Sequence, residues 1–385
     1  MTNITTAVRG ALGVIELDRP EALNALTHRM VTDMADALRA FAADDAVERV
    51  LITGAAQQAP ASPHGEQVPA AKPRWQQPLC AGGDVVSLHA DVQTTRGQGA
   101  ARFWRDEYTL NAQIARFPKP VVAIQHGIVL GGGVGISGHA SHRVVTDSTR
   151  IGFPEVTIGF APDVGATWLL TRRRGELGTR AALTGDHFGA ADAIALGLAD
   201  SFVPADRLDE LVRLLETTHP DAAIEQLATD APGGTLEASR PMIDQAFAGD
   251  DPQAILERLR AAGEEGEALA ATIAKRSPFA VAVALAALRR ARRLGSLEEA
   301  LAQEYRVSRH TSLAPDFSEG IRAQLIDKDR SPKWTPSSLA GVTPAMVEAC
   351  FAPVPGGDLE LPEAGRAAAG PVAAGRGQQQ QPDRI

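Results

Sequence analysis

The sequence predicts an α/β protein that turns helical toward its C-terminus. Three observations carry this: short buried strands alternate with helical periodicity before Pro204, glycine turns end those strands, and beyond Pro204 the apolar spacing is mostly helical. A first unit over residues 1–204 and a helical region over 205–353 follow from it.

Gly13-Val14-Ile15-Glu16-Leu17 reads as a strand, and Asp18-Arg19-Pro20 turns the chain away from it. From Thr27 as N-cap, Met30, Met34, Ala37, Leu38 and Phe41 recur at helical spacing, with Arg29, Asp33, Asp36 and Arg39 on the other face. Val50-Leu51-Ile52-Thr53 is a buried strand ending at Gly54. Residues 55–78, rich in Ala, Gln and Pro, break the pattern and read as an inserted surface loop. Leu79-Cys80-Ala81-Gly82-Gly83-Asp84 is a tight turn into a short helix at Val85–Leu88, and a longer helix spans about Ala100 to Arg116, stopped by Pro118 and Pro120.

Val121–Ile124 is a strand that runs into His126-Gly127 and then Leu130-Gly131-Gly132-Gly133-Val134-Gly135, where backbone is exposed. Strands near Val144–Thr146 and Arg150–Phe153 follow, then helical segments around Gly165–Leu170, Glu176–Leu183 and Ala190–Leu196. The helical region is broken near 230–252 by Gly and Asp, and the tail 365–385 has the composition of a disordered segment.

The composition narrows the function class. Across 385 residues, 44% are hydrophobic and 22% charged, as in an ordinary globular enzyme. A net charge of −9 argues against nucleic acid as a partner, and the run Arg172-Arg173-Arg174 is too short to reverse that. No stretch approaches the roughly 18 uninterrupted apolar residues of a membrane span. Two cysteines, Cys80 and Cys350, support neither a disulfide framework nor a zinc site, and Met1–Arg9 has no signal-peptide pattern, so the expected compartment is the cytoplasm.

The glycine run after a buried strand suggests a helix N-terminus open to a ligand, whose first amides have no partner inside the helix and can donate to a developing oxyanion. The plainer alternative is a turn that only lets helix and strand pack closely. A phosphate loop is excluded because the Lys-Ser/Thr ending is missing; a dinucleotide fingerprint is discounted because the acid at the right distance, Glu155, follows Pro154 instead of ending a strand. Phe153-Pro154-Glu155 and Pro162-Asp163-Val164-Gly165 set two carboxylates among apolar and turn residues, where burial would raise their pKa values and suit one for base, acid or nucleophile work. Against that stand a capping or ion-paired Glu155 and an Asp163 that is only a helix N-cap. His126, His139 and His142 have no Ser or Cys partner at interpretable spacing and read as structural; Cys80 reads as a small buried thiol.

These residues together make the chain similar to the crotonase superfamily, which includes enoyl-CoA hydratases and isomerases, and more closely to its 3-hydroxyisobutyryl-CoA hydrolase branch. The superfamily signs are Arg19-Pro20-Glu21-Ala22-Leu23-Asn24-Ala25-Leu26, Cys80-Ala81-Gly82-Gly83-Asp84, Lys119-Pro120-Val121-Val122-Ala123 and Gly131-Gly132-Gly133. The branch adds Phe103-Trp104-Arg105-Asp106-Glu107-Tyr108, Pro162-Asp163-Val164-Gly165, Asp316–Ala323 and Asp327–Trp334. The resemblance covers about residues 10–353 and leaves out 55–78 and the tail.

It implies a ββα spiral core over 1–204 and an acyl-CoA thioester as substrate, with no metal or redox cofactor. The amides of Ala81 and Gly132 would form the oxyanion hole, Glu155 would be the catalytic carboxylate with Asp163 as its partner, and Glu107 would contact substrate, unless it is a solvated helix charge. Hydratases of the superfamily usually carry a second glutamate three residues after the middle glycine, where this chain has Gly135, and commonly have glycine where this chain has Asp163. The expected reaction is therefore hydrolysis of 3-hydroxyisobutyryl-CoA, a step of valine catabolism. The alternatives are an enoyl-CoA hydratase or isomerase working with Glu155 alone, and a non-catalytic acyl-CoA-binding subunit. Assembly into a homo-oligomer is compatible with the resemblance and not specified by it.

Overall fold

A computed structural model describes residues 3–55, 75 and 77–361. Most of the 55–78 insertion and the whole tail 365–385 lie outside the described residues. The first strand, β1 (Ile4–Arg9), pairs antiparallel with β2 (Leu12–Leu17). It escapes a pattern reading because, as an edge strand, it exposes most of its side chains. Helix α1 (His28–Ala43) starts where expected: Thr27 Oγ1 accepts the Met30 amide at 3.2 Å, and Met30, Met34, Ala37, Leu38 and Phe41 are buried. Strand β3 (Arg49–Gly54) follows, then α2 (Val85–Thr95) and α3 (Gln98–Ala115). Helix α2 runs well beyond the expected Leu88, started by the Asp84 carboxylate, which accepts the Ser87 amide at 3.2 Å.

The next turns of chain repeat one theme. Strand β4 (Val121–Gln125) leads to β5 (Ile128–Leu130) and α4 (Gly132–Gly138); β6 (His142–Val145) leads to β7 (Arg150–Gly152), a 3-10 turn at Glu155–Ile158, α5 (Ala166–Arg172) and α6 (Leu177–Thr184). Strand β8 (His187–Phe188), α7 (Ala190–Leu196) and β9 (Ser201–Phe202) finish this part. The larger sheet has the order β1-β2-β3-β4-β6-β9, all parallel after β2, and the smaller one the order β5-β7-β8. The turns beginning at β4 and at β6 each contribute one strand to each sheet and then helix, which is the ββα spiral that the sequence led us to expect.

Alternation within β4 shows why both faces of the larger sheet are covered. Val121 and Ala123 enter the main core, whereas Val122 and Ile124 join Leu12, Val14, Leu51 and Val144 in a second cluster. Helices α8 (Leu208–Leu215) and α9 (Pro220–Glu225) cap that second cluster with Leu208, Leu211, Leu215 and Ile224. The chain continues through α10 (Leu236–Ala246), α11 (Pro252–Ala261), α12 (Gly263–Ile273), α13 (Pro278–Ala291), α14 (Leu297–Thr311), α15 (Pro315–Ile321) and α16 (Pro344–Ala349). Helix α10 corrects the break expected over 230–252. Its first amides are capped by Asp192, 2.9 Å from the Leu236 amide and far away in sequence, so no local signal announces it. Among the described residues, no single helix is long and apolar enough to cross a membrane.

Candidate active site

Register in the smaller sheet assembles the site. Cys80 bridges to Val129, and Val129 pairs with Ile151, all parallel. Three chain segments therefore end side by side, and the residues just past them, Gly83, Gly132 and Glu155, line one cavity of about 590 Å³ together with Asp163 and Glu107. The structure brings all five expected site residues to this cavity, Ala81 included, although with different jobs for two neighbours.

The Ala81 amide cannot serve as an oxyanion donor, which corrects the expectation for it. It already donates to Leu23 O at 3.0 Å, as part of the pairing that docks the Asn24–Leu26 turn beside the glycine turn. Among the described residues the amides of Gly83, Gly132 and Gly133 have no backbone acceptor, and of these Gly83 and Gly132 line the cavity. They lie close: a methyl group on Gly132 would stand 3.3 Å from Gly83 N. The glycine turn is held from behind by Arg19, which donates to Asp84 Oδ2 at 3.0 Å and to Ala25 O at 2.8 Å, and by Asn24, which reaches Pro78 O at 2.8 Å. The signal for Gly83 was in the same Gly-Gly-Asp run, but a one-residue choice of amide needs the bridge register.

Three carboxylates meet here. Glu107 on α3 is 2% exposed, so the solvated-charge reading fails, and its Oε1 has no partner; a side chain on Gly132 would collide with it at 2.6 Å. Glu155 opens the 3-10 turn after β7, buried, with Oε2 unpartnered. It neither caps a helix through its side chain nor forms an ion pair among the described residues. Asp163 accepts the Tyr108 O–H on Oδ2 at 2.6 Å. It is not the N-cap of α5; that position belongs to Gly165, and the carboxylate that receives the α5 amides is Glu304.

Burial sets their protonation. It pushes Glu107 and Glu155 well above the usual carboxylate range, and the neighbouring Asp163 charge raises both further. Asp163 is raised by burial to about 7 in spite of the Tyr108 hydrogen bond, which favours its ionised form. Cys80 is buried and pushed up to about 12, the behaviour of an inert thiol.

An apolar wall faces the acids. Trp104 stacks on Phe160 with ring centroids 5.5 Å apart, and Phe160 meets Phe317 at 5.4 Å. His187, Arg276 and Arg330 also line the cavity; the first two lie outside the motifs read from the sequence, and Arg330 falls within Asp327–Trp334, where the sequence assigns it no role of its own. His126, His139 and His142 do not line it; His126 sits between Thr146 Oγ1 and Trp75 O, and His142 beside Asp221.

Similarity to known proteins identifies the family. The enoyl-CoA hydratase/isomerase family model matches residues 12–351. The 3-hydroxyisobutyryl-CoA hydrolase of Danio rerio, described as mitochondrial, is 36% identical over 91% of this chain and 90% of its own length. 3-Hydroxyisobutyryl-CoA hydrolase 1 of Arabidopsis thaliana is 33% identical over 92% of this chain and 93% of its own. Among solved structures, a carnitinyl-CoA dehydratase from Mycobacterium thermoresistibile is 46% identical, with a TM-score of 0.84 over 93% of this chain and 98% of that one. An enoyl-CoA hydratase from Rhodobacter sphaeroides 2.4.1 is 37% identical, with a TM-score of 0.82 over 93% and 100% of the two chains. With a match along nearly its whole length, and with its strands, glycine turns and acids arranged as described, the chain belongs to the enoyl-CoA hydratase/isomerase family.

Proposed function

We propose that this protein hydrolyses acyl-CoA thioesters, with 3-hydroxyisobutyryl-CoA as its main substrate, releasing 3-hydroxyisobutyrate and free coenzyme A as in valine catabolism. The observation that carries this reading is the meeting of Glu155 and Asp163 beside the two unpaired amides of Gly83 and Gly132. In this reading those amides take the thioester oxygen, which gains negative charge as the carbonyl is attacked; losing one such donor typically costs about 3 kcal/mol of the barrier. Ionised Glu155 then attacks the carbonyl carbon, the C–S bond breaks, and the CoA thiolate leaves and takes up a proton. Water cleaves the resulting mixed anhydride and restores the Glu155 carboxylate. In the direct variant, Glu155 instead removes a proton from the attacking water. Asp163 orients the 3-hydroxyl group or that water, and Glu107 helps hold the acyl end. The nucleotide end of coenzyme A would meet Arg276 and Arg330, the latter exposed to solvent.

The solved relatives described as a dehydratase and a hydratase suggest a second reading, in which Glu155 moves the α-proton of an enoyl-CoA substrate. That chemistry commonly uses two acids. The position where its second acid would stand is Gly135, and a side chain there would begin 2.7 Å from Val164 Cβ and 2.9 Å from Asn111 Nδ2, so the space is filled. Hydrolysis keeps the preference.

The test is thiol release from 3-hydroxyisobutyryl-CoA, 3-hydroxypropionyl-CoA and crotonyl-CoA by the wild type, Glu155→Gln and Asp163→Asn. Free CoA from the hydroxyacyl thioesters, lost in Glu155→Gln, supports the proposal. Hydration of crotonyl-CoA with no thiol release from either hydroxyacyl thioester would overturn it. Single-turnover hydrolysis in labelled water separates the two routes, since only the anhydride route carries solvent oxygen into Glu155.

A further inference from the structure

The loop that carries Asp163 is strained. Val164 sits at φ +57 and Gly165 at φ +82. Glycine enters the left-handed region freely, but a β-branched valine stays there only where its surroundings impose it. His139 Nε2 lies 2.8 Å from Val164 O; desolvation holds this imidazole down to about 4, so it is neutral and its Nε2–H donates to that carbonyl. On the other side, Glu304 of α14 accepts the Gly165 amide at 2.6 Å, the Thr167 amide at 2.8 Å and the Thr167 hydroxyl at 2.6 Å.

Glu304 is 1% exposed and has no basic partner among the described residues, and it does not line the cavity. Burying an unpaired acid is an expensive way to cap a two-turn helix, which a serine does more cheaply. One helical turn further along α14, Ser308 Oγ lies 2.7 Å from the Tyr108 oxygen, and Tyr108 donates to Asp163. Tyr108 has a single proton, and when Asp163 is ionised that proton goes to its carboxylate, so Ser308 is then the donor to Tyr108. The two side chains, at i and i+4 on one face of α14, therefore reach the two sides of the Asp163 loop, Ser308 through Tyr108 to the carboxylate and Glu304 to the backbone just after it.

We propose that α14 is the positioning element of Asp163: Glu304 fixes the strained backbone beside it, and Ser308, through Tyr108, fixes the tilt of its carboxylate. This rests on the reading of Asp163 as the group that orients the water or the hydroxyl. The titratable groups that face Asp163 are Glu107 and Tyr108 from α3, Glu155 from the turn after β7 and Glu304 from α14, with His187, Arg276 and Arg330 lining the same cavity.

The experiment combines kinetics with a titration that needs no turnover. Glu304→Gln keeps the volume and the Thr167 bonds but turns an amide N–H toward the Gly165 N–H; Ser308→Ala removes one hydroxyl. Each is measured alone and with Asp163→Asn, and the Asp163 carboxyl is followed by carbon-13 NMR in aspartate-labelled protein, with Asp163→Asn assigning the signal. The expected result is a fall in kcat on the order of tenfold for Glu304→Gln and about threefold for Ser308→Ala, KM within about twofold, and no further loss in the Asp163→Asn background. Asp163 should also titrate at higher pH in Ser308→Ala, because Tyr108 becomes a weaker donor. Equal losses in both backgrounds, or an Asp163 titration unmoved by Ser308→Ala, would overturn the proposal. If Glu304→Gln fails to fold, Ser308→Ala decides by both readouts. A wild type that hydrolyses no thioester would defeat the functional reading, and the titration would still decide this one.

Discussion

Glu155 Oε1 stands 2.7 Å from the point where a methyl group on Gly131 would be. The first glycine of the run is thus bare because the carboxylate occupies its side-chain space, and its φ of +47 adds a backbone reason. Gly131→Ala must displace either Glu155 or the turn that presents the Gly132 amide. The expected outcome is a loss of kcat/KM on the order of 100-fold with the fold retained, read by thiol release and circular dichroism. Wild-type hydrolysis by this variant would mean that Glu155 acts from elsewhere.

The protonation of the acids sets the pH dependence. Glu155 must be ionised to attack or to take a proton, and Asp163 to accept from Tyr108, yet burial raises both, Asp163 to about 7. Activity should therefore climb with pH through the neutral range. Tyr108→Phe removes a donor that favours the ionised form of Asp163, so the climb should move to higher pH by about half a unit to one unit. A pH–rate profile checks this; a flat profile, or a shift toward lower pH, contradicts it.

The same burial has a cost in stability. A carboxylate whose pKa is higher in the folded than in the unfolded state makes its full contribution to stability below its unfolded value, and that contribution is lost as pH rises through its folded value. Glu155→Gln removes the group that must be ionised against its surroundings. The variant should melt at about the same temperature as the wild type near pH 4, at or below the usual glutamate value of about 4.3, and a few degrees higher near pH 8. Thermal unfolding at the two pH values measures the difference, and a gap that narrows with rising pH would show that Glu155 is not a strained acid.

How much of this was legible in the sequence depends on whether the cause was local. Thr27 and the spacing from Met30 to Phe41 announced α1, because a cap and its helix are neighbours in the chain. Glu155, Asp163, Glu107 and Gly132 were found through motifs, and they line one cavity. The choice of Gly83 over Ala81 was not readable, since it rests on a hydrogen bond between Ala81 and Leu23, two turns far apart in sequence. Glu304 and Ser308 were invisible for the same reason: on α14 they look like any polar positions of an amphipathic helix, and only the packing of α14 against α3 and α5 gives them partners. Strand β5 lay hidden beside the glycine run because it has only three residues and a single fully buried side chain, Val129.

The last prediction concerns the residue that separates hydrolysis from hydration. A side chain at position 135 would meet Val164 Cβ at 2.7 Å, Asn111 Nδ2 at 2.9 Å and Asn111 Oδ1 at 3.2 Å. Gly135→Ala should therefore cost about 1–3 kcal/mol through overpacking of a site with no slack. The clash reaches the Asp163 loop through Val164, so hydrolysis should fall along with stability. Gly135→Glu restores the usual hydratase acid in name only, because Val164 holds the space that the carboxyl needs. Crotonyl-CoA hydration by Gly135→Glu, followed by loss of the enoyl absorbance, should stay at background. If hydration appears, the volume at position 135 is not what excludes it, and the preference for hydrolysis would have to come from Asp163 alone.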